Sequence, residues 1–145
     1  TTRSSTQSAP FSAGERARSE LGWVARRADL AGIEKRQYPP SSRIIRTMCS
    51  ARFEEAFVAR AFEQGAGAVL ITGCRLTDDG SDCHYNYANR FTAKRFRRWQ
   101  RKFARKGIDS ERLQLRWISA AEGKEYAEKL REMDEIVKRH AETEA

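Results

Sequence analysis

Ala68-Val69-Leu70-Ile71-Thr72-Gly73 is a short, almost unbroken apolar run closed by Cys74. A strand that is apolar on both pleated faces needs cover on both, as in a parallel sheet flanked by helices. Upstream, Phe53, Phe57 and Ala61 recur every four residues with Val58 and Phe62 beside them, which predicts an amphipathic helix stopped by Gly65. Downstream, Phe96, Trp99 and Phe103 make the apolar stripe of a second helix, closed by Gly107, and Leu113, Leu115 and Trp117 alternate as a strand. Ser119 to Glu122 reads S-x-x-E, a capping box ahead of a last helix with Tyr126, Leu130, Met133 and Val137 on one face. Arg43 to Met48 predicts one more strand, ending at Cys49. The alternation predicts an α/β fold: a small parallel sheet in a two-layer or three-layer domain, built from βα repeats with right-handed crossovers. Three strands make a thin sheet, so a further strand is expected from the N-terminal region or from a neighbouring protein chain.

The 145 residues leave room for one domain with an ordinary core. Residues 1–13, rich in Ser and Thr with Pro10, read as a flexible arm, and 14–145 as a single domain. Between Gly14 and Leu30 a weak helix is expected, with Leu21, Val24 and Ala28 at helical spacing but Gly22 and Trp23 interrupting. Tyr38-Pro39-Pro40 then forces extended backbone. No apolar run approaches the roughly 18 residues of a membrane span, and the opening residues lack a signal-peptide core. A cytoplasmic protein is the expectation.

The formal net charge is +8. Lys94, Arg95, Arg97, Arg98, Arg101, Lys102, Arg105 and Lys106 fall between Phe91 and Gly107 with no acid among them, so this segment alone accounts for the excess. Arg97, Arg98, Arg101, Lys102 and Arg105 are the candidate grip on an acidic protein partner, because guanidinium groups pair bidentately with carboxylates. A nucleic-acid-binding module using the basic helix 92–106 is the alternative of another class. It is disfavoured because Phe96, Trp99 and Phe103 stand at the spacing of a core stripe and are not free to stack on bases. A merely solvated basic face is the plainest reading.

Three cysteines are too few for a disulfide scaffold. In open α/β sheets ligands bind beyond the carboxyl ends of the strands. Cys49 and Cys74 each close an expected strand, and Cys83 with His84 lies in the next loop, so all are expected at one edge. Thiolates with an imidazole suit soft metals and iron–sulfur clusters, although a [2Fe–2S] centre normally takes four ligands. The plainer reading is small buried thiols, Cys49 first among them. Catalytic signatures are sparse: Gly65, Gly67 and Gly73 match no nucleotide loop, and Asp78, Asp79 and Asp82 around Gly80 lack the ligand order of a calcium hand. His140 falls in the charged last helix. The chain is not expected to be catalytic alone.

Six blocks carry a resemblance. They are Ala28-Asp29-Leu30-Ala31-Gly32, Gln37-Tyr38-Pro39-Pro40, Arg43-Ile44-Ile45-Arg46 with Met48-Cys49-Ser50, Gly73-Cys74, Asp82-Cys83-His84-Tyr85, and Trp117-Ile118-Ser119-Ala120 with Glu122-Gly123. In this order the chain resembles the delta subunit of methyl-viologen-reducing hydrogenase from about Ala28 to Tyr126. The resemblance implies an accessory iron–sulfur subunit carrying a [2Fe–2S] cluster. Such proteins pass electrons between a hydrogenase or formate dehydrogenase and a heterodisulfide-reductase-type flavoprotein. The family pattern also includes a C-x-x-C whose positions here hold Glu20 and Trp23, followed by Arg26 and Arg27 where small residues are usual. It has four residues between its last two cysteines, where Arg75 to Asp82 make eight. Two readings follow. Either Cys74, Cys83 and Cys49 hold a cluster completed by His84, Asp82 or a partner's residue, or the chain is a cluster-free structural or assembly subunit.

Overall fold

β1 (Val69–Gly73) is buried at all five positions, as its apolar run on both faces requires. It pairs in parallel with β4 (Leu113–Trp117), in a register running from Val69 opposite Leu113 to Gly73 opposite Trp117. The computed structural model describes residues 31–45, 47–119 and 121–144. The arm expected over 1–13 and the helix expected over 14–30 lie outside the described residues.

Side chains of β1 alternate between two cores. Leu70 joins Ile118, Tyr126, Leu130, Met133, Ile136 and Val137 under α3 (Gly123–Glu144). Val69 and Ile71 point the other way and join Phe53, Val58, Phe96, Trp99, Phe103 and Leu113 under α1 (Glu55–Glu63) and α2 (Ala88–Arg105). The result is three layers, helix on sheet on helices. Each fully buried aromatic or aliphatic side chain contributes about 1.5–3 kcal/mol relative to exposure, so the stripes of α2 and α3 hold the layers together.

The helix ends follow the sequence. Gly65 and Gly107 take positive φ, 91° and 84°, which closes α1 and α2 where a side chain would be strained. At the start of α3 the Ser119 hydroxyl accepts from the Ala121 N–H at 3.2 Å, and the Ser119 N–H donates back to the Glu122 carboxylate. This is the reciprocal satisfaction that the capping box predicts.

Two differences stand out. No strand forms over the described part of Arg43 to Met48; residues 43–45, 47 and 48 are irregular. Only Ile44 packs on a core, beside Tyr38. Ile45 is 47% and Met48 88% exposed, so the segment lacks the two buried faces a central strand needs. The chain just ahead of it is pinned by side chains instead: the Ser41 hydroxyl donates to Asp134 on α3 at 3.0 Å. Asp134 also accepts from Lys138, and this hydrogen bond, with the carboxylate's charge, holds the Lys138 ammonium above the usual lysine range. The second difference is a hairpin, β2 (Leu76–Thr77) and β3 (Gly80–Ser81), inside the loop expected from Cys74 to Asn89. Among the described residues the parallel sheet therefore has two strands.

Candidate functional site

Cys74 follows β1 directly and is exposed, while Cys83 follows β3 and is half-buried. The hairpin between them pairs Leu76 with Ser81 and Thr77 with Gly80. The Asp82 N–H donates to the Arg75 carbonyl at 3.0 Å, which continues the pairing one step outward. One residue further on each arm stand Cys74 and Cys83. The eight-residue spacing thus folds back on itself and keeps the two cysteines at the open end of one hairpin.

Asn89, fully buried in the first turn of α2, fastens that hairpin. Its amide nitrogen donates to the Ser81 hydroxyl at 2.7 Å and to the Arg75 carbonyl at 3.3 Å, and it lies 3.5 Å from the Cys74 carbonyl. The Ser81 hydroxyl also accepts from the Cys83 N–H at 3.2 Å. One side chain thereby fixes both arms of the hairpin against the helix. Nothing in the residue pattern announced this role, because an Asn near a helix start reads first as a cap.

Cys49 reaches the same edge from the other side. Its neighbour Ser50 is buried against α2, where the Ser50 and Thr92 hydroxyls meet at 3.1 Å. Ser50 Oγ also lies 3.1 Å from where a side chain on Gly73 would begin. The Cys49 thiol caps its own 3-10 turn, accepting from the Ala51 N–H at 3.5 Å. His84 is exposed, with its ring edge-on to Tyr85 at 5.5 Å. Among the described residues, no three Cys, His, Asp or Glu side chains stand close enough together to hold a metal ion. Backbone segments bearing the three thiols converge, but their sulfur atoms do not form a ligand group. Glu20 and Trp23 lie outside the described residues.

In kind, the donor set fits an iron–sulfur centre: three thiols in no disulfide, and an imidazole, carried by adjoining segments beyond the carboxyl end of β1. In number, the thiols fall one short of the usual four.

The chain matches the family described as methyl-viologen-reducing hydrogenase, delta subunit, over residues 23–140. It belongs to that family. Among its relatives, an F420-non-reducing hydrogenase iron-sulfur subunit of Archaeoglobus profundus is 37% identical over 112 residues, covering 77% of this chain and 79% of the relative. The vhc iron-sulfur subunit of the F420-non-reducing hydrogenase of Methanococcus voltae is 43% identical over 99 residues, 68% of this chain and 66% of the relative. A third relative belongs to the ferredoxin/F(420)H(2)-dependent CoB-CoM heterodisulfide reductase of Methanosarcina acetivorans and is 41% identical over 113 residues. That match covers 75% of this chain but 14% of the relative, so a delta-subunit-like segment also occurs inside a much longer protein.

The basic helix of this delta-subunit family member is α2. Phe96, Trp99 and Phe103 are buried, as the stripe predicts. Arg97, Arg98, Arg101, Lys102 and Arg105 are all exposed. Lys102 pairs with Glu55 of α1, and the Arg101 Nε donates to the Arg97 carbonyl at 3.2 Å. Among the described residues no helix is long and apolar enough to cross a membrane.

Proposed function

We propose that the chain is an accessory electron-transfer subunit of an oxidoreductase complex of the hydrogenase or heterodisulfide reductase kind. The observation that carries this reading is membership of a family whose relatives are named iron-sulfur subunits of hydrogenases. Its partners are then redox subunits: a heterodisulfide-reductase-like flavoprotein and a hydrogenase or dehydrogenase. Cys74 and Cys83 are the first ligands of a [2Fe–2S] cluster, Cys49 the next and His84 the last, with any ligand still missing supplied by Asp82 or a partner. When bound, such a cluster accepts and donates one electron at a time. The protein supplies position and exposure: Asn89 and Ser81 fix the hairpin, so that the thiols of Cys74 and Cys83 are carried on a firm support.

Arg97, Arg98, Arg101, Lys102 and Arg105 are assigned to an acidic face of a partner protein. Isolation of the native complex through a tag on the full chain tests this. The wild-type chain should retain a redox subunit. Arg97→Glu, Arg98→Glu and Arg101→Glu together should release it, with unchanged thermal stability because all three are exposed. A chain that retains no redox subunit contradicts the proposal.

A cluster-free structural subunit of the same complex is the second reading. It is favoured by one specific observation, the Cys49 thiol turned into its own 3-10 turn and not gathered with the other two cysteines.

A further inference from the structure

Tyr85, Tyr87 and Phe91 are 61%, 66% and 62% exposed, a cluster of large rings where, among the described residues, the other Phe, Tyr and Trp side chains except Phe57 are buried or half-buried. With Ala51, Ala88 and Arg95 they line a shallow cavity of about 330 Å³. Arg95 contributes a charge with no counter-ion: among the described residues it forms no ion pair. Its Nη2 donates to the carbonyls of Ala51 and Phe53, each at 2.7 Å, and its Nε is buried without an acceptor. The guanidinium lies 5.4 Å from the Trp99 ring, which holds it in place. Arg95 is half-buried and its two carbonyl partners are neutral, so its charge is partly desolvated and favours a carboxylate that completes the cavity.

The rim also has a direction. Phe91, Arg95, Arg98 and Lys102 follow one another at i, i+4, i+7 and i+11, so they share one face of α2. The cavity is the head of that face and the bases are its tail. At the head, Tyr85 and Tyr87 sit two and four residues beyond Cys83, and the His84 ring stands edge-on to Tyr85. Arg97 and Arg101 fall on another flank of the helix, where Arg97 lines a groove with Trp117.

We propose that Tyr85, Tyr87 and Phe91 over Arg95 form the socket for a protein partner, which inserts an Asp or Glu carboxylate flanked by apolar side chains. Arg98, which forms no ion pair among the described residues, guides the acidic chain that follows, with Lys102 beside it already paired to Glu55. This rests on the accessory-subunit reading and refines it, because it places the partner's contact against the thiol-bearing edge. A symmetric contact of this face with the same face of a second copy fits poorly: no carboxylate occurs anywhere in residues 91–107 to answer the bases of its twin. An apolar socket closed by a carboxylate follows the usual anatomy of an interface anchor, an aromatic or Arg site surrounded by contacts that exclude water.

The test uses the native complex, isolated through a tag on the full chain, with Tyr87→Ser and Phe91→Ser combined. Both residues are exposed, so thermal stability should not change. Retention of the redox subunit should fall about tenfold, the effect of losing one anchor. A photo-crosslinking phenylalanine analogue at position 85 should attach to a partner segment bearing Asp or Glu among apolar residues. Equal retention by variant and wild type overturns the socket while leaving the accessory-subunit reading intact. Retention of nothing by the wild type removes both. Binding of a single-stranded oligothymidylate by the wild type, lost in the variant while the redox subunit stays bound, overturns the proposal in favour of a nucleic acid.

Discussion

Gly73 is the last residue before Cys74, and Trp117 lies across it from the paired strand. A methyl group there would press into the Trp117 ring, with Cε3 at 2.9 Å and the Ser50 hydroxyl at 3.1 Å. The flat indole therefore requires hydrogen at this position. Gly73→Ala should cost about 1–3 kcal/mol by overpacking, read as a lower midpoint in urea with an unchanged slope. A neighbouring pair gives a second prediction. The Thr92 hydroxyl donates to the Ala88 carbonyl at 2.9 Å, which leaves its lone pairs to the buried Ser50 hydroxyl. Thr92→Val strands Ser50 and should cost about 1–3 kcal/mol. Adding Ser50→Ala removes the stranded group, so the double variant should be more stable than Thr92→Val alone in the same urea titration. That order of stabilities would tie the Cys49 segment to α2 through hydroxyl chemistry.

At the scale of elements, α1 to α3 and both strands of the parallel sheet were legible because each carries a strong apolar pattern, periodic in the helices and β4 and continuous in β1. The stripe Phe96, Trp99, Phe103 and the run Val69 to Gly73 can be buried in only one way. The hairpin was not legible as a hairpin. Asp78, Asp79 and Gly80 announce a turn, but two-residue arms such as Leu76–Thr77 carry no alternation to read. What makes those arms a unit is Asn89, through contacts eight residues or more away that no local pattern encodes. Asn89→Ala should therefore free the hairpin without unfolding the sheet. Hydrogen exchange at the Asp82 amide should speed up several-fold while the amides of β1 keep their protection, since losing a buried amide's hydrogen bonds costs about 1–3 kcal/mol locally. The strand expected over Arg43 to Met48 failed for the opposite reason. Two adjacent isoleucines looked like a core run, yet Ile44 alone found cover, against Tyr38 and the α3 core. The exposed rings of Tyr85, Tyr87 and Phe91 had no period to betray them, because two precede the helix and the third lies on its flank.

For the whole molecule, the three layers place one sheet edge, one hairpin and the head of α2 side by side. That edge was foreseeable for Cys74, which closes the apolar run of β1, and for Cys83 in the loop after it, whereas Cys49 comes to it after an irregular segment and not at the end of a strand. The turn of the Cys49 thiol toward Ala51 was not foreseeable, since a 3-10 turn after an irregular segment leaves no trace in spacing. The resemblance puts Glu20 and Trp23 at the family's C-x-x-C positions, so a cluster held as proposed would need a ligand beyond the three thiols. Iron and acid-labile sulfide, measured on the chain purified anaerobically with its partner proteins, address this most directly, with electron paramagnetic resonance after reduction. Cluster ligation by Cys74 and Cys83 predicts stoichiometric iron and sulfide and a reduced-cluster signal that Cys74→Ser or Cys83→Ser abolishes. A preparation that keeps its redox partners but holds no iron on this chain contradicts it.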